Sequence, residues 1–561
     1  MKNREVADLL YEIADYLEMQ DVEWKPRAYR KAARNIEALS EPIEDVHERG
    51  ALQEIDGVGE GIAEKIAEYL ETGGLEYLEE LEEELPVNIE ALTAVESLGP
   101  KKVRKLYEAL GIENLDDLEE AAGKGKIADV EGFGEKSQER ILSGISMARK
   151  GQERMLIGEA EPIAEELREN LSASKNFEKV EIVGSYRRRR ETVGDLDVLA
   201  VAPDRRKAME EFCSMEQVKE VLGRGETKSS VMVSGDLQID LRIVSRDEYG
   251  AAILYFTGSK DHNISLRGRA QDRGWKLNEY GLFDGEERLA GKTEEEVYGK
   301  LGLDFIPPEL REDTGEVEAA ATSGLPELVT EQDMKGDLQM HTSYSDGSDS
   351  VAEMASKASE LGHDYILVTD HGPALQIAGG PQEKEEWEEQ REEIEAANQD
   401  FPVKVLHGVE ANITADGLDL EKEFLETFDL VVASMHNATE NPTEKIVEVF
   451  EEYPVDIFAH PFNRKIHRRE GLALDMARVA EAASENHVAV EINAQPRRLD
   501  LPWNYVKKYR DRVKFVVSTD AHSTSELGFM RYGVWQARRG WLEKSDVLNT
   551  SPLEELEDFF E

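Results

Sequence analysis

The period of the hydrophobic pattern changes twice along this chain, and those changes limit it to three kinds of structure in series. From residue 1 to about 150, Leu, Ile, Val and Ala recur at three- and four-residue spacing with few β-branched runs, as in packed helices. Between about 180 and 280 short alternating strands take over, VEIVGSY, DLDVLAVAP and DLQIDLRIV, broken by Gly, Asp and Arg. From Asp333 onward, short apolar strands (YILVTD, DLVVASM, DIFAHP, VAVEINA, KFVVSTD) alternate with amphipathic helices, the pattern of an α/β barrel or related parallel sheet. Residues 312–332 mix small, acidic and Gly/Pro residues without periodicity and read as a linker. At 561 residues, with roughly 100–200 residues per domain, about three to five domains are expected.

The net charge is −53, while 40% of the residues are hydrophobic, so the acidity belongs on folded surfaces rather than on a disordered tail. Asp and Glu spread along the whole length describe a surface kept hydrated in near-molar salt, as in a halophile. So acidic a composition ordinarily argues against nucleic-acid binding, which depends on basic patches. The single cysteine, Cys213, excludes a disulfide framework. The opening residues show no signal-peptide core, and there is no run of ~18 apolar residues. A cytoplasmic protein without membrane association is expected.

Three segments of the helical region place a glycine turn directly before a helix: IDGVGEGIAEKIAEYL (55–70), VESLGPKKVRKLYEAL (95–110) and VEGFGEKSQERIL (130–142). Gly57 and Gly59, Gly99, and Gly132 and Gly134 let the backbone approach a ligand closely and aim amide N–H groups outward, where they suit a phosphate. One such turn is an ordinary helix connection; three favour contact with a phosphate backbone. The middle copy departs, with Ser97 and Pro100 bracketing a single Gly99.

Residues 182–202 carry the pattern GS-x-RR-(x)₅-GDLD. Asp195 and Asp197 stand two apart on a strand, so both carboxylates face one side, where hard divalent cations would relieve their repulsion. Asp240, in DLQIDLRIV, is a third candidate. Gly184 and Ser185, followed by Arg187 and Arg188, combine amide, hydroxyl and guanidinium donors that fit a triphosphate. With YFTGS downstream at 255–259, this region resembles the nucleotidyltransferase palm of family X DNA polymerases, and the glycine segments resemble helix-hairpin-helix motifs. The resemblance implies Asp195, Asp197 and Asp240 as catalytic ligands of Mg²⁺ or Mn²⁺. It puts Gly184, Ser185, Arg188 and Gly194 at the incoming triphosphate, Tyr255 and Phe256 against its sugar, Gly258 at a close approach and Asn263 at the base. Arg267 would meet the template strand, and a monovalent cation would accompany the helix-hairpin-helix turns. Lys65 falls where relatives with lyase activity hold a Schiff-base lysine, while Gly61 stands where they tend to carry a second one.

Nine of the 11 histidines lie in the last 229 residues, several at strand ends: His371 in VTDH, His436 in ASMH, His460 in FAHP and His522 in STDAH. Side chains at the C-terminal ends of parallel strands meet at one mouth of a barrel. With Glu410 after VLHGVE, they suit a cluster of Zn²⁺ or Mn²⁺ ions. The constellation resembles the PHP (polymerase and histidinol phosphatase) domain, which implies His341, Asp346, His371, Glu410, His436, His460, Asp520 and His522 as ligands. Gln339 stands where that family commonly has histidine, a weaker donor at the same place. His363, His407, His467 and His487 are read as structural, and Arg464 and Arg497 as candidates for a DNA phosphate.

The expected fold is therefore multidomain α/β. It comprises a helix-hairpin-helix lyase-type domain (1–85), fingers (86–150), an α+β palm (151–250), a thumb (251–312), a linker (313–332) and a distorted (β/α)₇ PHP barrel (333–561). The expected function is a monomeric, gap-filling repair polymerase using dNTPs on gapped or primer–template DNA in base excision repair. A 3′-5′ exonuclease, with AP endonuclease activity as a further candidate, belongs to the barrel. The arginine run 187–190 would supply DNA contacts that the net charge does not. A non-catalytic DNA scaffold and a phosphatase of small phosphates are the alternatives.

Overall fold

The computed structural model describes residues 3–20, 22, 24–37, 39, 43–55, 57–72, 74–93, 95, 98–135, 137–138, 141–142, 145, 154–233, 237–375, 380–381, 384–437 and 439–560. Two compact units divide the chain, Met1–Arg154 with Met209–Leu241, and Met155–Ala208 with Arg242–Glu561.

In the first unit the helical periodicity becomes helices Asn3–Met19, Lys25–Glu37, Ile43–Glu48, Glu60–Thr72, Glu76–Glu84, Ile89–Thr93, Pro100–Leu110 and Leu115–Gly123. Their apolar stripes close on one core that includes Leu10, Ile13, Ile36, Ile66, Leu92, Val103, Leu106 and Leu118. Helix starts follow local chemistry. Asn114 Oδ1 accepts the otherwise orphaned amides of Asp116 (2.9 Å) and Asp117 (3.0 Å), and Pro100 opens its helix where no N–H is needed. The same unit holds the antiparallel strands Val218–Arg224 and Lys228–Val233.

In the second unit the strand Lys179–Ile182 pairs antiparallel with Asp195–Val201, Ile182 opposite Val198. Helices Tyr249–Thr257 and Lys260–Gln271 then pack with the meander Lys276–Asn278, Gly281–Asp284, Glu287–Ala290 and helix Glu294–Lys300 around Leu254, Leu266, Leu282, Val297 and Tyr298. The stretch read as a linker is ordered in part. It contains the helix Glu316–Ala321, whose Val317 and Ala320 join that core. Glu316 Oε1 lies 2.7 Å from the fully buried Nδ1 of His262, whose Nε2 is 2.9 Å from Tyr298 Oη. Six residues are too few for a helical period to show in sequence, and a buried hydrogen-bonded pair decides the conformation instead.

The βα alternation gives seven parallel strands in chain order: Gly336–Met340, Tyr365–Val368, Lys404–Thr414, Leu430–Ser434, Ile457–Phe458, Ala489–Asn493 and Phe515–Ser518. The chain beyond the last strand bridges back to the first, His341 N donating to Ala521 O (2.8 Å) and Asp520 N to Gln339 O (3.1 Å), so the sheet is a nearly closed barrel. Most strand residues are buried, as expected where helices cover the outside and side chains fill the inside. Among the described residues no helix is long and apolar enough to cross a membrane.

Candidate functional site

Every strand end of the barrel that the sequence pattern marked arrives at the same mouth. His341 follows the first strand, His371 the second, His436 the fourth, His460 the fifth, and Asp520 and His522 the seventh, while Glu410 projects from within the third. Among the described residues three groups result, in each of which one donor atom per residue lies within 4.8 Å of the others: His341, Asp346, His371 and His522; His371, Glu410 and His436; His341, Glu410 and Asp520. Glu410 binds the arrangement together. Its Oε2 lies 3.2 Å from His341 Nε2 and 3.4 Å from His371 Nδ1, and its Oε1 lies 3.1 Å from His460 Nε2 and 3.5 Å from His436 Nε2. Burial by itself would raise the Glu410 carboxyl; the imidazoles of His371, His341, His460 and His436 hold it well below its usual range. Asp346 is likewise held down to about 2, its partial burial outweighed by His522, His341 and His371.

The donor set fits divalent metal ions. Nδ1 of the fully buried His341, Nδ1 of His460 and Oε1 of Gln339 have no hydrogen-bond partner, and His341 Nε2, though near the Glu410 and Asp520 carboxylates, lacks hydrogen-bond geometry to either; unpaired buried polar atoms are costly. Imidazole nitrogens and carboxylate oxygens converging with lone pairs unspent are a borderline cation's ligands. Gln339, expected as a weak ligand, divides its amide: Nε2 donates to Glu410 Oε2 (2.9 Å) while Oε1 stays unpaired. The donated bond occupies a carboxylate lone pair that a cation would otherwise use. Gln339→His is therefore expected to increase the divalent ion bound per chain, read by metal analysis after dialysis; an unchanged content would show that the amide does not limit loading.

Around these residues stands a layer that strand-end counting missed. Asn412 Oδ1 lies 3.2 Å from His436 Nδ1; Glu491 Oε2 accepts from His460 N (2.7 Å); Asn493 Nδ2 bridges Glu491 (3.2 Å) and Asp520 (3.1 Å). Such partners fix ring orientation and donor basicity. The signal was available, since Glu491 and Asn493 are polar residues inside the otherwise apolar strand VAVEIN. His460, Asn463 and Asp520 take positive φ (29°, 50° and 52°), a strained backbone found where side chains must be aimed. The histidines read as structural lie outside the three groups; His407 Nε2, for instance, is 3.0 Å from Gln390 Oε1, its ring against Phe428.

In the palm segment, Leu196 is buried between the exposed Asp195 and the half-buried Asp197, so the strand turns both carboxylates to its other face. Gly184, at φ +69°, comes so near that a Cβ there would sit 2.9 Å from Asp197 Oδ2, which only glycine tolerates. Ser185 Oγ is buried without a partner. A Cβ on Gly258 (φ +70°) would meet Arg188 Nη1 at 3.1 Å, and Asn263 Nδ2 donates to Tyr255 O (2.7 Å), with the rings of Tyr255 and Phe256 edge to face at 5.1 Å. Gly194 is exposed and Arg267 half-buried. In the first unit, buried Asp240 on the strand Gln238–Val244 lies 2.6 Å from Lys228 Nζ and accepts from Gln238 Nε2 (2.8 Å).

The structure gives the arginine run partners within the protein. Arg187 forks onto Glu294 (3.0 and 2.7 Å), Arg189 stacks on Trp535 at 4.0 Å, and Arg188 and Arg190 turn to Glu312. Arg464, a candidate for a DNA phosphate, donates to Glu191 Oε1 (2.7 Å) instead. Carboxylates engage Arg187, Arg188, Arg190 and Arg464, and the Trp535 ring engages Arg189, contacts that join the palm segment to the thumb and barrel. Arg497 is exposed.

The three glycine turns share one backbone pattern. Val58, Leu98 and Phe133 N donate to Ile55, Val95 and Val130 O, and Ala63, Val103 and Gln138 N donate to Gly59, Gly99 and Gly134 O. The middle copy thus keeps the helix entry despite its altered sequence; Ser97 lies outside the described residues. Gly57 and Gly132 take φ of +87° and +91°. Lys65 Nζ lies 4.4 Å from the Tyr77 ring centre.

Family models match along the chain: a helix-hairpin-helix domain at 1–75, a SAM-like helix-hairpin-helix tandem at 89–146, a DNA polymerase beta palm at 154–249, a DNA polymerase beta thumb at 252–312 and a PHP domain at 337–495. The chain is 38% identical to the DNA polymerase/3′-5′ exonuclease PolX of Bacillus subtilis over 571 residues, covering all of this chain and 99% of that protein. This chain belongs to the family X DNA polymerases. Within the family it is 26% identical to DNA polymerase lambda of Rattus norvegicus over 340 residues, 55% of this chain and 56% of that protein. A probable phosphatase of Acetivibrio thermocellus is 33% identical over 192 residues, 32% of this chain and 75% of that protein. The family X polymerase described here thus unites polymerase-like and phosphatase-like stretches in one chain.

Proposed function

We propose that this chain is a DNA-directed DNA polymerase that fills short gaps during base excision repair and, with its barrel, a 3′-5′ exonuclease that removes nucleotides from primer ends. What carries the reading is that palm carboxylates and a barrel mouth of clustered histidines occur together in a chain that matches, over its full length, a relative named for both activities. Asp195, Asp197 and Asp240 would hold Mg²⁺ or Mn²⁺ in the palm. His341, Asp346, His371, Glu410, His436, His460, Asp520 and His522, with Gln339, would hold Zn²⁺ or Mn²⁺ in the barrel. The ions, when bound, supply Lewis acidity and offset charge on phosphate oxygens.

The chain's own residues do the rest. Ser185, Arg188, Gly184 and Gly194 receive the triphosphate, Tyr255, Phe256 and Gly258 the sugar, Asn263 the base and Arg267 the template. In the barrel, Asn412 and Glu491 keep His436 and His460 oriented. The glycine turns grip DNA phosphates through amides, with a monovalent cation at the turns, which explains how so acidic a chain binds DNA. Lys65 is the candidate for a lyase step, and AP endonuclease activity belongs to the barrel. We place the protein in the cytoplasm as a monomer.

Purified protein on gapped DNA tests the reading: it should extend the primer with dNTPs and shorten it without them, both activities stopping on chelation. Absence of extension with Mg²⁺ and Mn²⁺ would overturn the polymerase assignment. Repeating the assay from low to near-molar KCl tests the reading of the acidic surface, which expects the optimum at high salt.

A further inference from the structure

Glu312 is a largely enclosed carboxylate, 10% exposed, shared by three guanidiniums. Its Oε1 lies 3.3 Å from Arg188 Nε and 3.2 Å from Arg539 Nη2, and its Oε2 lies 3.4 Å from Arg190 Nη1. Burial alone would raise this carboxyl; Arg188, Arg190 and Arg539 bring it down to about 2. Arg188 and Arg190 come from the palm turn, Glu312 from the end of the thumb segment, and Arg539 closes the helix Met530–Arg539 that follows the last barrel strand.

Docking one segment onto another needs one cation per carboxylate. Here three guanidiniums meet at Glu312, two of them, Arg188 and Arg539, little exposed, and Glu191 is a second carboxylate facing Arg539. Arg188 is spoken for at Nε, by Glu312, and at Nη1, by the carbonyl of Thr257; neither bond uses Nη2. The two bonds hold the guanidinium plane against Gly258 and on the same turn as the unpaired Ser185 Oγ. Arg539, fully buried, lies over Trp503 at 5.1 Å and so cannot swing away from Glu312 without emptying packed space.

We propose that Arg539 of the barrel is a positioning residue for nucleotide binding in the palm: it holds Glu312, and Glu312 holds Arg188 in the attitude that receives the triphosphate. The proposal rests on the reading that Arg188 contacts that triphosphate. It makes the barrel part of the polymerase site as well as the seat of the nuclease, because Arg539, which shares Glu312 Oε1 with Arg188, is supplied by the barrel.

The test is single-nucleotide insertion by the full-length protein on a gapped primer–template. Arg539→Met is expected to raise the dNTP KM roughly fivefold with kcat within about twofold, leaving exonuclease activity at the wild-type rate. Arg539→Lys, which restores the charge, should recover most of the affinity. In an Arg188→Ala background, Arg539→Met should add no further increase, as residues acting through one another are not additive. An unchanged KM in folded Arg539→Met, with KM raised by Arg188→Ala, overturns the relay alone, as does an Arg539→Met effect that persists in full on Arg188→Ala. An unchanged KM in Arg188→Ala overturns the nucleotide-site reading and the relay with it. Should Arg539→Met not fold, Glu312→Gln carries the same test with the same expected rise and the same dependence on Arg188.

Discussion

Asp197→Asn is expected to lower primer extension by about a thousandfold or more while 3′-5′ degradation continues at the wild-type rate. Removing a charged group that stabilises a phosphoryl-transfer transition state commonly costs ~3–4 kcal/mol or more. The substitution keeps the shape, which matters because Gly184 is packed against Asp197 Oδ2, so the loss would report charge rather than collapse of the turn. Asp195→Asn should behave alike, with less structural risk, since Asp195 is exposed. Separate extension and degradation assays, with circular dichroism as the folding control, decide it. Undiminished extension by a folded Asp197→Asn protein would remove this aspartate from the palm site.

The converse effect belongs to Glu410. It takes part in two of the three donor groups and faces four imidazoles. Glu410→Gln leaves those rings converging on a neutral amide. Divalent ion content should fall and exonuclease activity should drop by about a thousandfold or more, with extension unaffected. Metal analysis of the purified variant is read beside both assays. If Glu410→Gln kept the wild-type metal content, the barrel mouth would have to bind its ions without its central carboxylate.

Much of this molecule is legible one residue at a time. The strand-end histidines could be picked out because a parallel barrel sends the C-terminal ends of its strands to one place, so a one-dimensional pattern becomes a cluster. The Asp195–Leu196–Asp197 alternation likewise carries its own geometry. The helix Glu316–Ala321 was not legible, because its stability comes from His262 and from Val317 and Ala320 joining a core made elsewhere. Glu491 and Asn493 left a trace that counting histidines passed over.

The arginines mark the boundary between the two sources of information. Periodicity, glycine turns and short motifs by themselves determined the series of folds and marked the candidate acids of the palm and the candidate donors of the barrel, since each depends on spacing within a strand or turn. Only the tertiary structure shows which protein groups Arg187, Arg188, Arg189, Arg190 and Arg464 meet in the folded chain. A guanidinium on a turn can reach a phosphate or a carboxylate equally well, and which it takes depends on groups more than a hundred residues away. Glu294, Glu312, Glu191 and Trp535 are those groups, and folding puts them within reach.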